Sequence, residues 1–138
     1  MIEAKSSFPV FTVKDLKAAE SFYTQYFGFN VAFSGEWYLH LVSDGGVQLG
    51  FLLPEQPTQP PFFQQAYNGK GVIFSLEVDD ADSAYREATS NSLDIVLELR
   101  SEDWGQRHFC IEDPNGVHLD IVQAIEPTEA YQSDYDTE

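Results

Sequence analysis

The side chains most able to do chemistry lie near the end of the sequence. His108, Cys110 and His118 include a thiol and two imidazoles, the groups that form a thiolate nucleophile when a histidine activates a cysteine. Side chains alternate between the faces of a strand, so Cys110 is predicted to face the helix, opposite to Phe109. A lone buried cysteine usually packs as a small apolar side chain. We therefore predict no catalytic residue in this group.

Arg107 and Asp120 are the charged pair of the same stretch. If they lie diagonally on adjacent strands, they either form a salt bridge inside a groove or contact a ligand there. His118 precedes Asp120 by two residues and is predicted on the same face of its strand. His40, in the first half of the chain, is predicted to lie on the face of its sheet that points away from the groove and from Gly50. The sequence alone leaves both roles of the charged pair open.

Two runs of the same elements position these residues. The first is a strand at 8–13, a helix at 16–27 between Asp15 and Gly28, and strands at 29–33, 37–42 and 47–53. The second is a strand at 71–78, a helix from 79–80 to about 90, and strands at 95–99, 107–112 and 117–122. Turn residues at 43–46 and 113–116 join the last two strands of each run.

The two runs are an internal repeat. Residues 13–16 match 78–81, and residues 46–49 match 116–119. We predict an α+β fold of two β-α-β-β-β modules at 7–53 and 71–124, within one domain spanning 1–126. A proline-rich connector (54–70) joins the modules, and the polar, acidic stretch 127–138 is predicted to be a flexible tail.

These motifs resemble the vicinal oxygen chelate superfamily, which includes glyoxalase I, extradiol dioxygenases and bleomycin-resistance proteins. The resemblance rests on 13–16, 22–23, 27–29 and 113–120, and it covers about 8–123. It implies that each module curls an incomplete mixed-sheet barrel around a concave cavity, and that two chains pair. Open sheets have exposed edges that a C2 partner can cover, so we predict a homodimer.

The resemblance also implies where metal ligands would stand. Metal-using members place His or Glu on the first and last strands of each module, and those positions here are Phe8, Gly50, Ile73 and Asp120. Asp120 alone carries a donor group, and a catalytic metal takes three or four ligands. We therefore predict no metal and no cofactor. A glycine inside a strand also predicts a close approach by a ligand or by Phe8.

Strand alternation and two-residue turns predict which side chains line the groove. This register places Leu39 opposite Gly50, and Phe109 opposite Asp120. Trp104 lies in a loop where no core pattern requires an aromatic residue. The predicted ligand contacts are Phe8, Trp37, Leu39, Gly50, Ile73, Trp104, Arg107, Phe109, His118 and Asp120.

Composition excludes several classes of partner. Seven basic and 23 acidic residues give a net charge of −16, which argues against binding to nucleic acid or to an anionic membrane surface. A single cysteine excludes an intramolecular disulfide. We find no secretory signal and no apolar run long enough for a membrane span, and we expect a cytoplasmic protein.

Three functions remain open. The favoured one is a metal-free binding protein resembling the bleomycin-resistance branch, which sequesters a small aromatic or cationic compound, either in antibiotic resistance or in another sequestering role. The second is a glyoxalase-like lyase or dioxygenase with an atypical metal site. The third is a non-catalytic regulatory or scaffold protein. The aromatic lining, the missing ligands and the acidic charge favour the first.

Overall fold

The computed structural model describes residues 1–135, which fall into two compact units. Unit 1 contains residues 1–70 together with 114–117. Unit 2 contains residues 71–113 and 118–135. Each unit has one four-stranded sheet, and neither sheet closes into a barrel.

Unit 1 carries the first module. Its elements are β1 (Val10–Thr12), α1 (Leu16–Phe27), β2 (Asn30–Ser34), β3 (Tyr38–Val42), β4 (Gln48–Leu52) and a 3₁₀ turn (Pro61–Phe63). The sheet order is β1-β4-β3-β2, with β1 parallel to β4 and the other pairs antiparallel. One face of the sheet packs on α1, and the other face points away from this helix.

Sequence signals set both ends of α1. The Asp15 carboxylate accepts a hydrogen bond from the Ala18 N–H (2.9 Å) at the helix start. Gly28 ends the helix with φ +66°, a left-handed conformation in which a Cβ is unfavourable. Between these caps, Ala19 and Tyr23 are fully buried against the sheet. The buried face of α1 is therefore the face on which the apolar residues of the sequence recur.

Unit 2 carries the second module. Its elements are β5 (Phe74–Glu77), α2 (Ala81–Ser90), β6 (Asp94–Glu102), β7 (Gln106–Glu112), β8 (His118–Ala124) and α3 (Glu129–Gln132). The sheet order is β5-β8-β7-β6, with β5 parallel to β8. The predicted α+β fold of two β-α-β-β-β modules is therefore confirmed.

The hairpin registers differ from the prediction by one residue. His40 pairs with Gly50, and Cys110 pairs with Asp120, where Leu39 and Phe109 were predicted. In the first hairpin the Gly46 N–H donates to the Ser43 carbonyl (2.9 Å), and Gly46 adopts φ +87°. Each hairpin therefore has a three-residue loop ending in a left-handed glycine, instead of a two-residue loop. The extra residue reverses the faces predicted for β3 and β7.

The terminal stretch contains one short helical segment, α3. The Thr128 N–H donates to the Asp103 carbonyl (2.9 Å), and the Tyr135 hydroxyl donates to the Trp104 carbonyl, so this stretch contacts the β6–β7 loop. Residues 136–138 of the predicted tail lie outside the described residues. The single-domain boundary, the tail's flexibility and the homodimer stay predictions. None of the helices in 1–135 has the length and apolar character to cross a membrane.

Candidate functional site

Unit 1 contains an open cavity of about 800 Å³ on the sheet face opposite to α1. The residues that line it are Phe8, Val10, Thr12, Phe33, Gly35, Glu36, Trp37, Tyr38, Leu52, Gln59 and Phe63. Most of these side chains are apolar and several are aromatic. This composition is typical of a small-molecule site.

Alternate residues of β1 and β4 form one side of the cavity. Val10 pairs with Gly50 and Thr12 pairs with Leu52 across parallel strands, so all four lie on the same face. Phe11, between them, is buried on the helix side. Phe8, one of the predicted ligand contacts, also lines this cavity.

The connector supplies a second side of the cavity. The Thr12 hydroxyl donates to the Phe63 carbonyl (3.0 Å), and the Tyr67 N–H donates to the Thr12 carbonyl (2.8 Å). These bonds tie the 3₁₀ turn to β1 and place the Phe63 ring at the cavity. The proline-rich segment thus forms one wall of the cavity as well as connecting the modules.

A half-buried chain of polar side chains begins at Tyr38 in the cavity lining. The Tyr38 hydroxyl lies 2.7 Å from His40 Nδ1, and His40 Nε2 lies 2.8 Å from Gln48 Oε1. Because an amide oxygen can only accept, Nε2 carries the ring proton and Nδ1 accepts from Tyr38. Burial raises the pKa of the Tyr38 phenol. The Phe8 ring packs edge-on against His40 at 4.8 Å between centroids.

Gly50 is buried below this chain and does not face open space. A Cβ at Gly50 would overlap the Tyr38 hydroxyl and would lie 3.0 Å from Val10 Cγ2. The close approach predicted from the glycine therefore exists, but Tyr38 and Val10 make it. Neither Phe8 nor a ligand is needed to explain why this position is glycine.

Two other unit 1 predictions have different outcomes. Trp37 lines the cavity, just before β3 begins. Leu39 was predicted to line the groove but is buried on the helix face, because the hairpin register differs by one residue. For the same reason the prediction that His40 points away from Gly50 was wrong.

In unit 2, Arg107 and Phe109 also lie on the helix side of the sheet, contrary to the predicted groove positions. Phe109 is buried with its ring against Tyr85 of α2 (5.1 Å between centroids). Arg107 makes two bonds to the Asp82 carboxylate, both 2.9 Å, and none of the described bonds joins it to Asp120. The three-residue loop after β7 causes both differences.

The Asp82–Arg107 pair predicts a pH dependence of stability. The Arg107 hydrogen bond lowers the pKa of Asp82 below its ordinary value of 3.8. A depressed folded-state pKa means that the pair stabilises unit 2 above the unfolded-state pKa, and that this contribution is lost as pH falls through the folded-state pKa. Asp82→Asn should therefore lower the melting temperature more at neutral pH than at a pH below the ordinary value of 3.8. Differential scanning calorimetry at both pH values checks this. An equal effect at both would show that the pair's charge is irrelevant.

The sheet face of unit 2 that points away from α2 carries a hydrogen-bonded cluster of polar side chains. His108 Nδ1 lies 2.6 Å from Asp120 Oδ1, and His108 Nε2 lies 2.8 Å from Glu102 Oε2. Burial lowers the pKa of His108, but hydrogen bonds to the two carboxylates outweigh it, and the net pKa is raised. Because ionised carboxylates can only accept, this geometry fits an imidazolium ring whose two nitrogens both donate.

Cys110 belongs to this cluster and not to the helix side. Its thiol donates to Asp120 Oδ1 at 3.6 Å, so the predicted orientation was wrong. Burial and the nearby Asp120 charge raise the pKa of the thiol to about 11. A thiol with this pKa is protonated at neutral pH.

The remaining predicted contacts belong to unit 2. Ile73 is exposed just before β5, and the His118 ring lies 2.8 Å from Glu112 on the adjacent strand. Trp104 is half-exposed in the β6–β7 loop, where its indole N–H donates to Gln106 (3.0 Å). Their roles as ligand contacts stay predictions.

Residues 7–121 match the sequence model of the Glyoxalase/Bleomycin resistance protein/Dioxygenase superfamily. The chain belongs to this superfamily. None of the curated proteins matches it significantly.

Solved structures of the superfamily share the fold at low sequence identity. A glyoxalase/bleomycin resistance protein/dioxygenase from Nocardioides is 17% identical, with a TM-score of 0.75 over 91% of this chain and 87% of that one. A lactoylglutathione lyase from Agrobacterium tumefaciens is 19% identical, with a TM-score of 0.72 over 88% and 94%. A bleomycin resistance determinant encoded on the transposon Tn5 is 20% identical, with a TM-score of 0.66 over 88% and 98%. At these identities the likeness shows the fold alone.

The residues at the superfamily's metal positions do not fit a metal. In unit 1, Phe8 has no donor atom and Gly50 is covered by Tyr38. In unit 2, Ile73 has no donor, which leaves Asp120 alone at these positions. One carboxylate does not hold a catalytic divalent ion, so we derive no step through a metal at these positions.

Sequence reasoning missed several cavity residues of this superfamily member. Phe33 lies in β2, Gly35 and Glu36 follow that strand, and Gln59 and Phe63 lie in the connector. Strand alternation cannot predict positions outside strands. The one available signal was an aromatic pair, Phe62-Phe63, in a proline-rich segment that has no core of its own to fill.

Proposed function

We propose that unit 1 binds a planar aromatic small molecule, with a preference for a cation, and that this binding needs no metal. The observation that carries the proposal is the aromatic-walled cavity of about 800 Å³. Cavities of about 300–1,000 Å³ with mostly apolar walls suit drug-sized ligands. Sequestration of such a compound resembles the resistance role named for the Tn5 determinant.

The rings around the cavity suit a flat ligand. Phe8, Phe33, Trp37 and Phe63 all present part of their surface to solvent, although large apolar side chains favour burial. Rings that a ligand covers gain both apolar burial and stacking, the latter worth about 0.5–1.5 kcal/mol per ring pair. A ligand that lies between them would remove this exposed apolar surface from water.

Charge supports a cationic ligand. Among the described residues that line the cavity, Glu36 carries the one formal charge, and it is negative. Aromatic faces also attract cations, most strongly the face of tryptophan. The net charge of −16 adds a long-range attraction for cations.

The test is calorimetric titration with two matched probes on protein pretreated with a chelator. N-methylquinolinium is a planar cation, and N-methylquinolone is a neutral compound of nearly the same shape. Trp37→Ala should weaken both by about 1–3 kcal/mol, the cost of losing a ring that stacks on a nucleobase. Glu36→Gln should weaken only the cation, and less so at high salt.

Phe62→Ala is the matched control for Phe63→Ala. Both residues lie in the same 3₁₀ turn, but Phe63 lines the cavity and the largely exposed Phe62 does not. We expect Phe63→Ala to weaken binding and Phe62→Ala to leave it unchanged. Equal affinities in all variants would refute the assignment of the cavity. Binding that chelation abolishes would refute the metal-free mechanism.

A further inference from the structure

We propose that His108, Cys110 and Asp120 form a zinc-binding site in unit 2. One donor atom from each of these side chains lies within 4.8 Å of the other two. This proposal is independent of ligand binding in unit 1, since none of the three residues lines that cavity.

The backbone places the three side chains on one face of the sheet. His108 and Cys110 are two residues apart on β7, and Asp120 is the direct register partner of Cys110 on β8. Two of the three donors therefore lie on β7. The site consequently differs from the first-strand and last-strand positions of the superfamily, of which it uses Asp120 alone.

The donor set suits zinc more than other common ions. Imidazole nitrogen and thiolate sulfur favour Zn²⁺, and a carboxylate completes a three-ligand set with one open position. Ligand atoms around tetrahedral zinc stand about 3–4 Å apart, given bonds of about 2.0–2.3 Å. The thiol-to-carboxylate distance of 3.6 Å already has this value, and the 2.6 Å imidazole-to-carboxylate distance must open slightly.

A neighbouring ion pair holds the histidine in the required orientation. Glu102 Oε2 accepts from His108 Nε2 (2.8 Å), which leaves Nδ1 pointing toward Asp120 and Cys110. Arg100 Nε in turn donates to the same Glu102 oxygen (2.6 Å). A carboxylate on the far nitrogen of a histidine is the usual support of a metal-bound imidazole.

Zinc would take the place of protons that the cluster now holds. The proton between Nδ1 and Asp120 and the proton of the Cys110 thiol would pass to solvent, and Nδ1, Sγ and Oδ1 would bind the ion. The formal charges of Zn²⁺, the thiolate, the two carboxylates and Arg100 then cancel. The ion would therefore leave no uncompensated charge in a site where His108 is only 8% exposed.

Titration of the chelator-stripped full chain with Zn²⁺ and with Co²⁺ tests the site. We expect one ion per chain, and a thiolate-to-cobalt charge-transfer absorption that Cys110→Ser abolishes. His108→Gln should weaken zinc binding at least tenfold. Glu102→Gln should weaken it about 10- to 100-fold, as loss of a supporting carboxylate does.

His118→Gln is the matched control. His118 lies on β8, two residues before Asp120, and its ring contacts Glu112 outside the cluster. Zinc affinity should be unchanged in this variant. The proposal is overturned if the stripped protein takes up no zinc. It is also overturned if Cys110→Ser keeps both the affinity and the cobalt absorption, or if His118→Gln abolishes binding. Cys110→Ser is nearly isosteric, and circular dichroism checks that each variant is folded.

Discussion

Replacing Gly50 with alanine is expected to lower the free energy of unfolding of unit 1 by about 1–3 kcal/mol, the usual cost of overpacking a core. The added Cβ would overlap the Tyr38 hydroxyl and would lie 3.1 Å from Tyr38 Cζ. Tyr38 cannot move away freely, because its hydroxyl bonds to His40. Urea denaturation followed by fluorescence measures the change.

A double-mutant cycle identifies the cause of that cost. Tyr38→Phe removes the overlapping oxygen, so Gly50→Ala should cost less in the Tyr38→Phe background, by about 0.5–3 kcal/mol for residues in contact. Gly45→Ala is the control, since its nearest neighbour is Ser43 Oγ at 3.8 Å and its φ is not positive. If Gly50→Ala proves as harmless as Gly45→Ala, Tyr38 does not cover Gly50 as described.

Phe51→Ala is expected to cost about 3–5 kcal/mol, the range for removing a buried phenylalanine ring. Phe51 is fully buried, with its ring 5.2 Å from Tyr23 of α1 and 6.4 Å from Phe11 of β1. It pairs in register with Phe11 on one side and Leu39 on the other. A void there would loosen the strands that carry the cavity, so probe affinity should fall together with stability.

The two tryptophans allow this loss to be assigned to one unit. Trp37 lies in unit 1 and Trp104 in unit 2. In a Trp104→Phe background, tryptophan fluorescence therefore reports on unit 1 alone. In that background Phe62→Ala, an exposed phenylalanine, should change stability by less than about 0.5 kcal/mol. Equal effects of the two substitutions would contradict the burial of Phe51.

The repeat and its elements could be read from the sequence because local signals agree with the fold. Asp15 and Asp80 cap the two helices, Gly28 ends the first, and the apolar residues of α1 recur at helical spacing. The motifs near each helix start and each hairpin also identified the superfamily, which the sequence match confirms. These features depend on neighbours in sequence, which a single chain displays.

The side-chain faces of β3 and β7 could not be read in the same way. A turn such as Asp113-Pro114-Asn115-Gly116 is compatible with loops of two or three residues, and the two choices place alternate residues in the groove. Leu39, Arg107 and Phe109 were misplaced for this reason, whereas Phe8 before β1 was not. Cavity residues in the connector were missed because their positions depend on long-range bonds such as that from Thr12 to Phe63.

The assembly of unit 1 from two separated stretches of chain has a consequence during biosynthesis. The Asp15 N–H donates to the Asn115 side-chain oxygen (3.0 Å), and the Asn115 amide donates back to the Asp15 carbonyl (2.9 Å). These partners are 100 positions apart, and segment 114–117 is translated long after α1. The nascent amino-terminal half must therefore wait for most of the chain to leave the ribosome before its helix start is complete. Non-local closure of this kind slows folding and extends the time for which apolar strands remain exposed to chaperones.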